Sequence, residues 1–83
     1  MTKGEILKII RENVLEILEE TTPEMITVDK RLKDLGANSV DRAEIVATTM
    51  ERLDMKIPLV ELGAVKSIGG LMDFFYEKKN TSN

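Results

Sequence analysis

Residues 35–54 read LGANSVDRAEIVATTMERLD, and this stretch combines a helix-start signal with apolar residues at helical spacing. Asn38 is a favourable N-cap residue, and Asp41, three positions later, places a carboxylate at the positive end of a helix dipole. The spacing predicts a helix over residues 38–54, and Pro58 limits any extension beyond it. The sequence therefore predicts one long helix in the middle of the chain.

Further helical segments flank this central helix. Apolar residues recur at helical spacing over residues 2–20, and Pro23 ends that helix. Residues 59–63 suffice for one turn of helix, and a last helix begins at Ser67. The apolar residues that define the first and last helices are Ile6, Ile10, Val14, Ile17, Leu18, Ile68, Leu71, Met72 and Phe75. Because no useful segment has strand periodicity, we expect an all-α fold of three main helices and one short helix around one core.

The connections and the tail carry weaker signals. Asp29 is positioned to cap a short turn over residues 32–35. Gly69 and Gly70 weaken the start of the last helix, where each costs up to about 1 kcal/mol relative to alanine. They indicate either a close backbone approach or a frayed first turn. The polar residues 78–83 are expected to form a disordered tail.

Length and composition exclude most classes of enzyme. The chain has 83 residues and contains neither cysteine nor histidine. Its length suits a single small domain over residues 1–83, with a radius of gyration of roughly 12 Å. Thiolate nucleophiles, disulfides, Cys/His zinc sites and imidazole bases are all excluded. We therefore expect no catalytic site and no metal site.

Charge and hydropathy restrict the partners. The formal net charge is −3, and the three aromatic residues are adjacent at 74–76, so the sequence offers no spread stacking platform for nucleic acid. It also has no apolar run of ~20 residues and no signal peptide. We expect a cytoplasmic monomer that binds neither nucleic acid nor a membrane.

The apolar residues of the central helix cover a wide arc. With Ser39 at zero and about 100° per residue, a first group falls between roughly 240° and 340° and consists of Ile45, Val46 and Leu53. A second group, here called the apolar strip, falls between roughly 20° and 100° and consists of Val40, Ala43, Ala47 and Met50. The arc of about 220° exceeds the stripe that a surface helix turns to a core. Either this helix is buried on two sides, or the apolar strip binds a partner, which its small residues and its methionine favour.

Ser39 lies at the first position of the central helix. Backbone N–H groups in a first helical turn have no partner within the helix, so a phosphate on the Ser39 hydroxyl would meet donors and a favourable dipole. A serine at a helix start more often has only a structural role. The surrounding residues decide between these two interpretations.

Residues 34–46, DLGANSVDRAEIV, are followed by an acidic helix and then by Ile57 and Pro58. This pattern resembles the acyl carrier proteins, whose usual signature is DLGxDSLD. The resemblance extends over nearly the whole chain in helix order, in loop length and in the SIGGL start of the last helix at residues 67–71. It implies the four-helix bundle of that family.

The resemblance also implies a function and a site. In that family a magnesium-dependent phosphopantetheinyl transferase moves 4′-phosphopantetheine from coenzyme A to the serine, which by the resemblance is Ser39. The chain would then tether acyl groups as thioesters and present them at high effective concentration. The missing cysteine is consistent with this, because the thiol belongs to the prosthetic group. The resemblance places the partner-binding residues at Val40, Asp41, Ala43, Glu44, Ala47, Met50 and Glu51.

Departures from the family pattern indicate specialised partners. Asn38 replaces the usual aspartate, and Arg42 and Arg52 make the helix less acidic than in fatty-acid carriers. The string GANSVDRAEIV resembles the stand-alone carriers of polyketide β-branching, which deliver acetyl to a synthase of the 3-hydroxy-3-methylglutaryl (HMG) type. The implied partners are the transferase, an HMG-CoA-synthase-like enzyme, and an acyltransferase or decarboxylase that loads the arm.

Two other functions remain open from the sequence. A carrier for fatty-acid or peptide synthesis would have the same fold and different partners. A helical adaptor without a cofactor would use the apolar strip and leave Ser39 as a residue of the helix start. A gain of one phosphopantetheine in mass distinguishes a carrier from an adaptor.

Overall fold

The computed structural model describes residues 1–81, which form an all-α fold. The long helices are α1 (Lys3–Ile17), α2 (Ser39–Arg52) and α3 (Ile68–Thr81), and α1 packs against both of the others. The connections contain the 3₁₀ turns η1 (Pro23–Met25), η2 (Leu32–Leu35) and η3 (Leu59–Leu62). The predicted bundle of three main helices and one short helix is confirmed, with η3 as the short helix. The Cα radius of gyration is 11.7 Å.

No helix within residues 1–81 combines the length and the apolar character needed to cross a membrane.

The core lies where the three helices meet. Its fully buried apolar side chains come from all three helices and from the loop after α1: Ile6, Ile10, Val14, Ile26, Ile45, Ile68 and Phe75. Val46 on α2 and Leu53, the residue that follows α2, are also buried. The sequence-based assignment of Ile45, Val46 and Leu53 to the core side is therefore confirmed. The burial of these side chains is the main force that holds the bundle together.

A polar contact crosses this core between α1 and α2. Asn13 Nδ2 donates a hydrogen bond to Thr49 Oγ1 over 2.8 Å, and the Thr49 hydroxyl donates to the Ile45 carbonyl over 2.7 Å. Both side chains are buried, and leaving either unpaired would be costly. Sequence analysis missed this pair. The available signal was the position of Asn13 three residues after Ile10, on the core-facing side of α1.

α1 begins as predicted and ends earlier. Thr2 and Glu5 close a capping box, with Glu5 N donating to Thr2 Oγ1 over 3.2 Å and Thr2 N donating to Glu5 Oε1 over 2.9 Å. The helix stops at Ile17 instead of Glu20, because Leu18 already has non-helical geometry. Pro23 forbids a longer helix but does not determine how many residues before it the helix ends.

The first turn of α3 lies directly against the loop before η2. Gly69 N donates to the Val28 carbonyl oxygen over 2.9 Å, and a Cβ on Gly69 would lie 3.0 Å from that oxygen. The predicted close backbone approach is confirmed at Gly69. Ser67 Oγ accepts a hydrogen bond from Gly70 N over 2.9 Å, as expected of the residue that caps this helix.

The predicted role of Asp29 is wrong. Its carboxylate accepts a hydrogen bond from the Thr27 hydroxyl, and η2 is preceded by Arg31 instead. Asp34 Oδ2 accepts from Arg31 N over 3.0 Å and so closes the start of that turn. The physical reason is that Asp29 lies too far before Leu32 to reach the free N–H groups of the turn.

The predicted disorder of the tail is wrong for residues 78–81, because α3 continues to Thr81. Lys79 Nζ donates to the Leu53 carbonyl over 2.8 Å, and Lys78 Nζ lies 3.1 Å from Glu61 Oε1. These contacts join the lysines to residues that are distant in sequence. The polar composition of the segment does not reveal such contacts, and for this reason it did not indicate that the segment is helical. Residues 82 and 83, also in the predicted tail, lie outside the described residues.

Leu53→Ala and Ala47→Ser distinguish the two sides of α2. Leu53 is 2% exposed, whereas Ala47 is exposed. The free energy of unfolding should fall by about 2–5 kcal/mol in Leu53→Ala and by well under ~1 kcal/mol in Ala47→Ser. Urea titration followed by circular dichroism measures both, and equal losses would mean that α2 is buried on two sides.

Candidate functional site

The start of α2 is fixed by reciprocal hydrogen bonds between Asn38 and Asp41. Asp41 N donates to Asn38 Oδ1 over 2.8 Å, and Asn38 N donates to Asp41 Oδ2 over 3.2 Å. This capping box confirms the predicted N-cap and makes Ser39 the first residue of α2. The Ser39 side chain is exposed at the positive end of the helix.

The chain approaches Ser39 through a left-handed glycine. Gly36 has φ 92°, a conformation that other residues rarely adopt, and it ends η2 and redirects the chain towards α2. Ala37 is buried and anchors the segment, whereas Gly36, Asn38 and Val40 are exposed. The space around the Ser39 hydroxyl is therefore open to solvent, and a large group attached there would displace no core residue.

Most of the predicted partner face is exposed. Val40 is 74% exposed, and Ala43, Ala47, Glu44 and Glu51 are exposed as well. The alternative in which α2 is buried on two sides is thereby wrong for these positions. The acids border the apolar residues along the helix, so the surface is a shallow apolar strip with a negative edge.

Met50 is much less exposed than the rest of this surface. It is 9% exposed and lies in the core cluster, so its predicted position on an exposed strip is wrong. After α2 the chain turns at Asp54, which has φ 55°, and Met55 N donates to the Met50 carbonyl over 2.9 Å. This segment brings Met55 and Ile57 beside Met50, and together with Ala47 and Glu51 these residues line one shallow groove. The apolar strip is accordingly reduced to Val40, Ala43 and Ala47.

Asp41 is less exposed than the other acids of the predicted partner face. It is half-buried, and its carboxylate accepts the hydrogen bond from Asn38 N that closes the cap. Glu44 and Glu51 are thus the fully exposed acids of the predicted face.

Both arginines of α2 are directed away from the apolar strip. Arg52 Nη2 lies 2.8 Å from Glu12 Oε1 on α1, and Arg52 Nη1 lies 3.5 Å from Asn13 Oδ1. Arg42 Nη1 donates to the Ala37 carbonyl over 3.3 Å. The exposed face of α2 is therefore more acidic than the sequence of the helix indicates.

A cavity of about 480 Å³ lies between η2, α2, η3 and the start of α3. This volume is within the range typical of ligand pockets, about 300–1,000 Å³. Its apolar lining consists of Leu32, Val46, Leu59, Leu62, Val65 and Leu71. Four basic side chains also line it, namely Arg31, Lys33, Arg42 and Lys66. Sequence analysis missed the cavity, because its walls come from four separate segments.

One of the four basic side chains at the edge of this cavity is already paired with a carboxylate. Arg31 Nη2 lies 3.2 Å from Asp34 Oδ1. Hydrogen bonds from the side chain and the backbone of Arg31 hold the pKa of Asp34 below its ordinary value. Asp34 thus stays ionised and engages Arg31.

The family of the chain follows from its comparison with known proteins. The model of the family described as phosphopantetheine attachment site matches residues 8–75. The polyketide biosynthesis acyl-carrier-protein AcpK of Bacillus subtilis (strain 168) is 41% identical over 78 residues, which are 94% of this chain and 95% of that protein. The chain belongs to the acyl carrier protein family. An acyl carrier protein of Caulobacter vibrioides is 33% identical to this carrier over 90% of the chain and 96% of the relative.

A solved structure also matches the carrier. A chain in the crystal structure of the curacin biosynthetic pathway HMG synthase in complex with acetyl donor-ACP superimposes with a TM-score of 0.86. It is 42% identical, and the match covers 94% of this carrier and 100% of that chain. The acyl-carrier fold implied by the resemblance is confirmed.

Family membership settles the class of protein. Acyl carrier proteins are carriers and not catalysts, and they bear covalently attached 4′-phosphopantetheine. The predicted carrier function, non-enzymatic character and cofactor are therefore confirmed.

Met50→Lys and Val40→Lys test the corrected boundary of the apolar strip. A lysine at buried position 50 removes an apolar core contact and desolvates a charge, so the free energy of unfolding should fall by at least ~2 kcal/mol. A lysine at exposed position 40 should change it by no more than ~0.5 kcal/mol. Thermal and urea unfolding of the apo carrier measure both, and equal stabilities would return Met50 to the surface.

Proposed function

We propose that this carrier holds acetyl as a thioester on a 4′-phosphopantetheine arm at Ser39 and delivers it to an HMG-CoA-synthase-like enzyme of polyketide β-branching. The similarity to a chain from a complex of HMG synthase with acetyl donor-ACP, at 42% identity and full coverage of that chain, is the main support. The 41% identity to a polyketide carrier supports the same class of pathway.

The residues around Ser39 fit the prosthetic group. The hydroxyl is exposed on the first turn of α2, where unpaired N–H groups and the helix dipole favour a phosphodiester. Asn38 caps the turn without adding a negative charge next to that phosphate, unlike the aspartate usual at this position. When attached, the arm supplies a thiol that holds the acyl group. The protein itself supplies the anchor and the surface that partners recognise.

The docking surface begins beside the anchor. Val40 follows Ser39 directly and is 74% exposed, and Ala43 and Ala47 continue the apolar strip along α2. Small side chains let a partner approach the helix closely, and Val40 provides the largest exposed apolar area among them. Exposed Glu44 and Glu51 would face basic groups on the partner and steer its approach.

Met50 and Asp41 contribute to this surface indirectly. Met50 supports the strip from the core side, and Asp41 sets the start of the helix through its bond to Asn38. Substituting either would alter the position of the surface as well as its chemistry.

Ser39→Ala tests the attachment site. The variant should fold as the wild type does, because the hydroxyl is exposed, and it should gain no phosphopantetheine when incubated with coenzyme A, magnesium and a broad-specificity transferase. Intact-mass spectrometry measures loading, and circular dichroism measures folding. Ser67→Ala is the matched control: it removes another serine hydroxyl, costs about 1 kcal/mol of capping energy and should still load.

Each result of this test has a distinct meaning. A mass gain in Ser39→Ala would move the attachment to another residue. No gain in the folded wild type would favour the adaptor without a cofactor.

Val40→Lys and Glu51→Gln separate the contributions of the strip and of the charges. In the acetyl-loaded carrier, Val40→Lys should lower kcat/KM for transfer to an HMG-type synthase by about tenfold or more, because a charge is desolvated at the interface. Glu51→Gln should lower it by about two- to fivefold, and this effect should shrink at high salt.

A contrary ranking would identify the charges as the selective element. If Glu51→Gln abolished transfer while Val40→Lys had no effect, the acids and not the strip would select the partner. If the loaded wild type served fatty-acid or peptide-synthesis enzymes and not the HMG-type synthase, the carrier would belong to one of those pathways. The transferase, the loading acyltransferase or decarboxylase, the cytoplasmic location and the monomeric state stay predictions.

A further inference from the structure

The basic side chains of this acidic carrier are unevenly distributed. The chain has 12 Lys and Arg residues and 15 Asp and Glu residues, with a net charge of −3. Four of the basic residues line the cavity between η2, α2, η3 and α3, and none of the acidic residues within positions 1–81 does. In a protein with an excess of acids, this arrangement makes the cavity a local positive site.

Three of these four cations keep N–H groups for a ligand, although Arg42 Nη1 already donates one hydrogen bond, to the Ala37 carbonyl over 3.3 Å. Arg31 is paired with Asp34 at 3.2 Å, whereas Lys33, Arg42 and Lys66 form no ion pair within residues 1–81. Glu61 of η3, which adjoins the lining residue Leu62 in sequence, is paired with Lys78 at 3.1 Å. Within residues 1–81, no acidic side chain lines the cavity as a counter-ion to Lys33, Arg42 and Lys66.

The lining of the cavity indicates the shape of the ligand. The inner wall is apolar and includes the buried residues Leu32, Val46, Leu62 and Leu71. The cations come from three directions: Lys33 from η2, Arg42 from α2 and Lys66 from the segment before α3. A ligand that fits both features has a short apolar stem and an anionic end.

The cavity is also accessible from the modification site. Arg42, Ala43 and Val46 line it, and they lie three, four and seven residues after Ser39. At about 100° per residue they fall within roughly 60° of the Ser39 direction around α2. A chain attached to Ser39 can therefore fold back along this side of the helix into the cavity.

We propose that this cavity binds the carboxylate of an acyl group that ends in one, a monothioester of a dicarboxylic acid, tethered through the arm at Ser39. Arg42, Lys66 and Lys33 bind the carboxylate, and the apolar wall contacts the carbons before it. An acetyl group has no carboxylate, so the cations do not retain it and it stays available to a partner. The inference rests on the proposed attachment at Ser39.

The experiment compares two acyl groups, one that ends in a carboxylate and one that ends in a methyl group. The apo carrier is loaded enzymatically with coenzyme A analogues in which an amide replaces the thioester, so that the group cannot hydrolyse or transfer. One analogue carries malonyl with ¹³C in its free carboxyl group, and the other carries propionyl, in which a methyl replaces that carboxylate. Intact mass establishes loading, and an NMR titration gives the pKa of the malonyl carboxylate.

Cations beside a carboxylate stabilise its ionised form, so the tethered malonyl group should have a lower pKa than the same amide free in solution, by about 0.5 or more. The shift should decrease with added salt. It should be at least halved in the double variant Arg42→Gln/Lys66→Gln. Lys8→Gln is the matched control, because Lys8 is exposed on α1 and does not line the cavity.

Backbone amide shifts distinguish the carboxylate from the other anion on the arm. Malonyl should perturb the amides of Leu62, Val65 and Leu71 more than propionyl does. If the holo carrier without an acyl group already gave the full perturbation, the phosphodiester would be the bound anion and the proposal would be wrong.

The remaining outcomes separate this inference from the proposed function. A folded chain that gains no arm by mass overturns both. A loaded carrier whose malonyl pKa equals that of the free amide, or whose shift is the same in the double variant and in the wild type, overturns the carboxylate site and leaves the attachment at Ser39 intact.

Discussion

The hydrogen bonds between Asn38 and Asp41 fix the residue at which α2 begins, and the other features of the site depend on that choice. Once the helix starts at Ser39, its periodicity assigns every later side chain to the core, to the cavity or to the solvent. A start one residue later would remove Ser39 from the helix, so its hydroxyl would no longer lie on the first turn, where the free N–H groups are. Two hydrogen bonds therefore place Ser39 at the positive end of α2, and the burial of Ile45 and Val46 sets which face of that helix remains exposed.

Features that depend on residues close together in sequence could be predicted. The cap of α2 joins positions three apart, and the core side of that helix follows from the spacing of Ile45, Val46 and Leu53. The close approach at Gly69 was likewise indicated by the residue type. Glycine destabilises a helix, so it is expected there mainly where any side chain would collide with a neighbouring segment. The identity of that neighbour, the Val28 carbonyl, was not predictable, since it comes from a loop far away in the chain.

Features that depend on several segments at once could not be predicted. Met50 lies at the border between the core and the exposed side of α2, and only the return of the chain through Met55 and Ile57 decides that it is covered. The cavity presents the same difficulty, because the sequence gives no indication that Lys33 and Lys66 come to one place. Periodicity gives the direction of a side chain from its own helix. It does not show which distant segment lies in that direction.

The orientation of Arg42 and Arg52 has a consequence for how the carrier meets other molecules. Arg42 and Glu51 lie roughly 180° apart around α2, and Arg52 is drawn to Glu12. Because the charge of Arg52 is offset by Glu12, the separation of charge across the axis of α2 lies between Arg42 on one flank and Glu51 on the other. In the field of a basic partner of the kind proposed above, this pair of opposite charges would experience a torque, and the carrier would turn towards its docking orientation while solvent still separates the two proteins. The small size of the domain makes this rotation fast, and few encounters need to begin in the correct orientation.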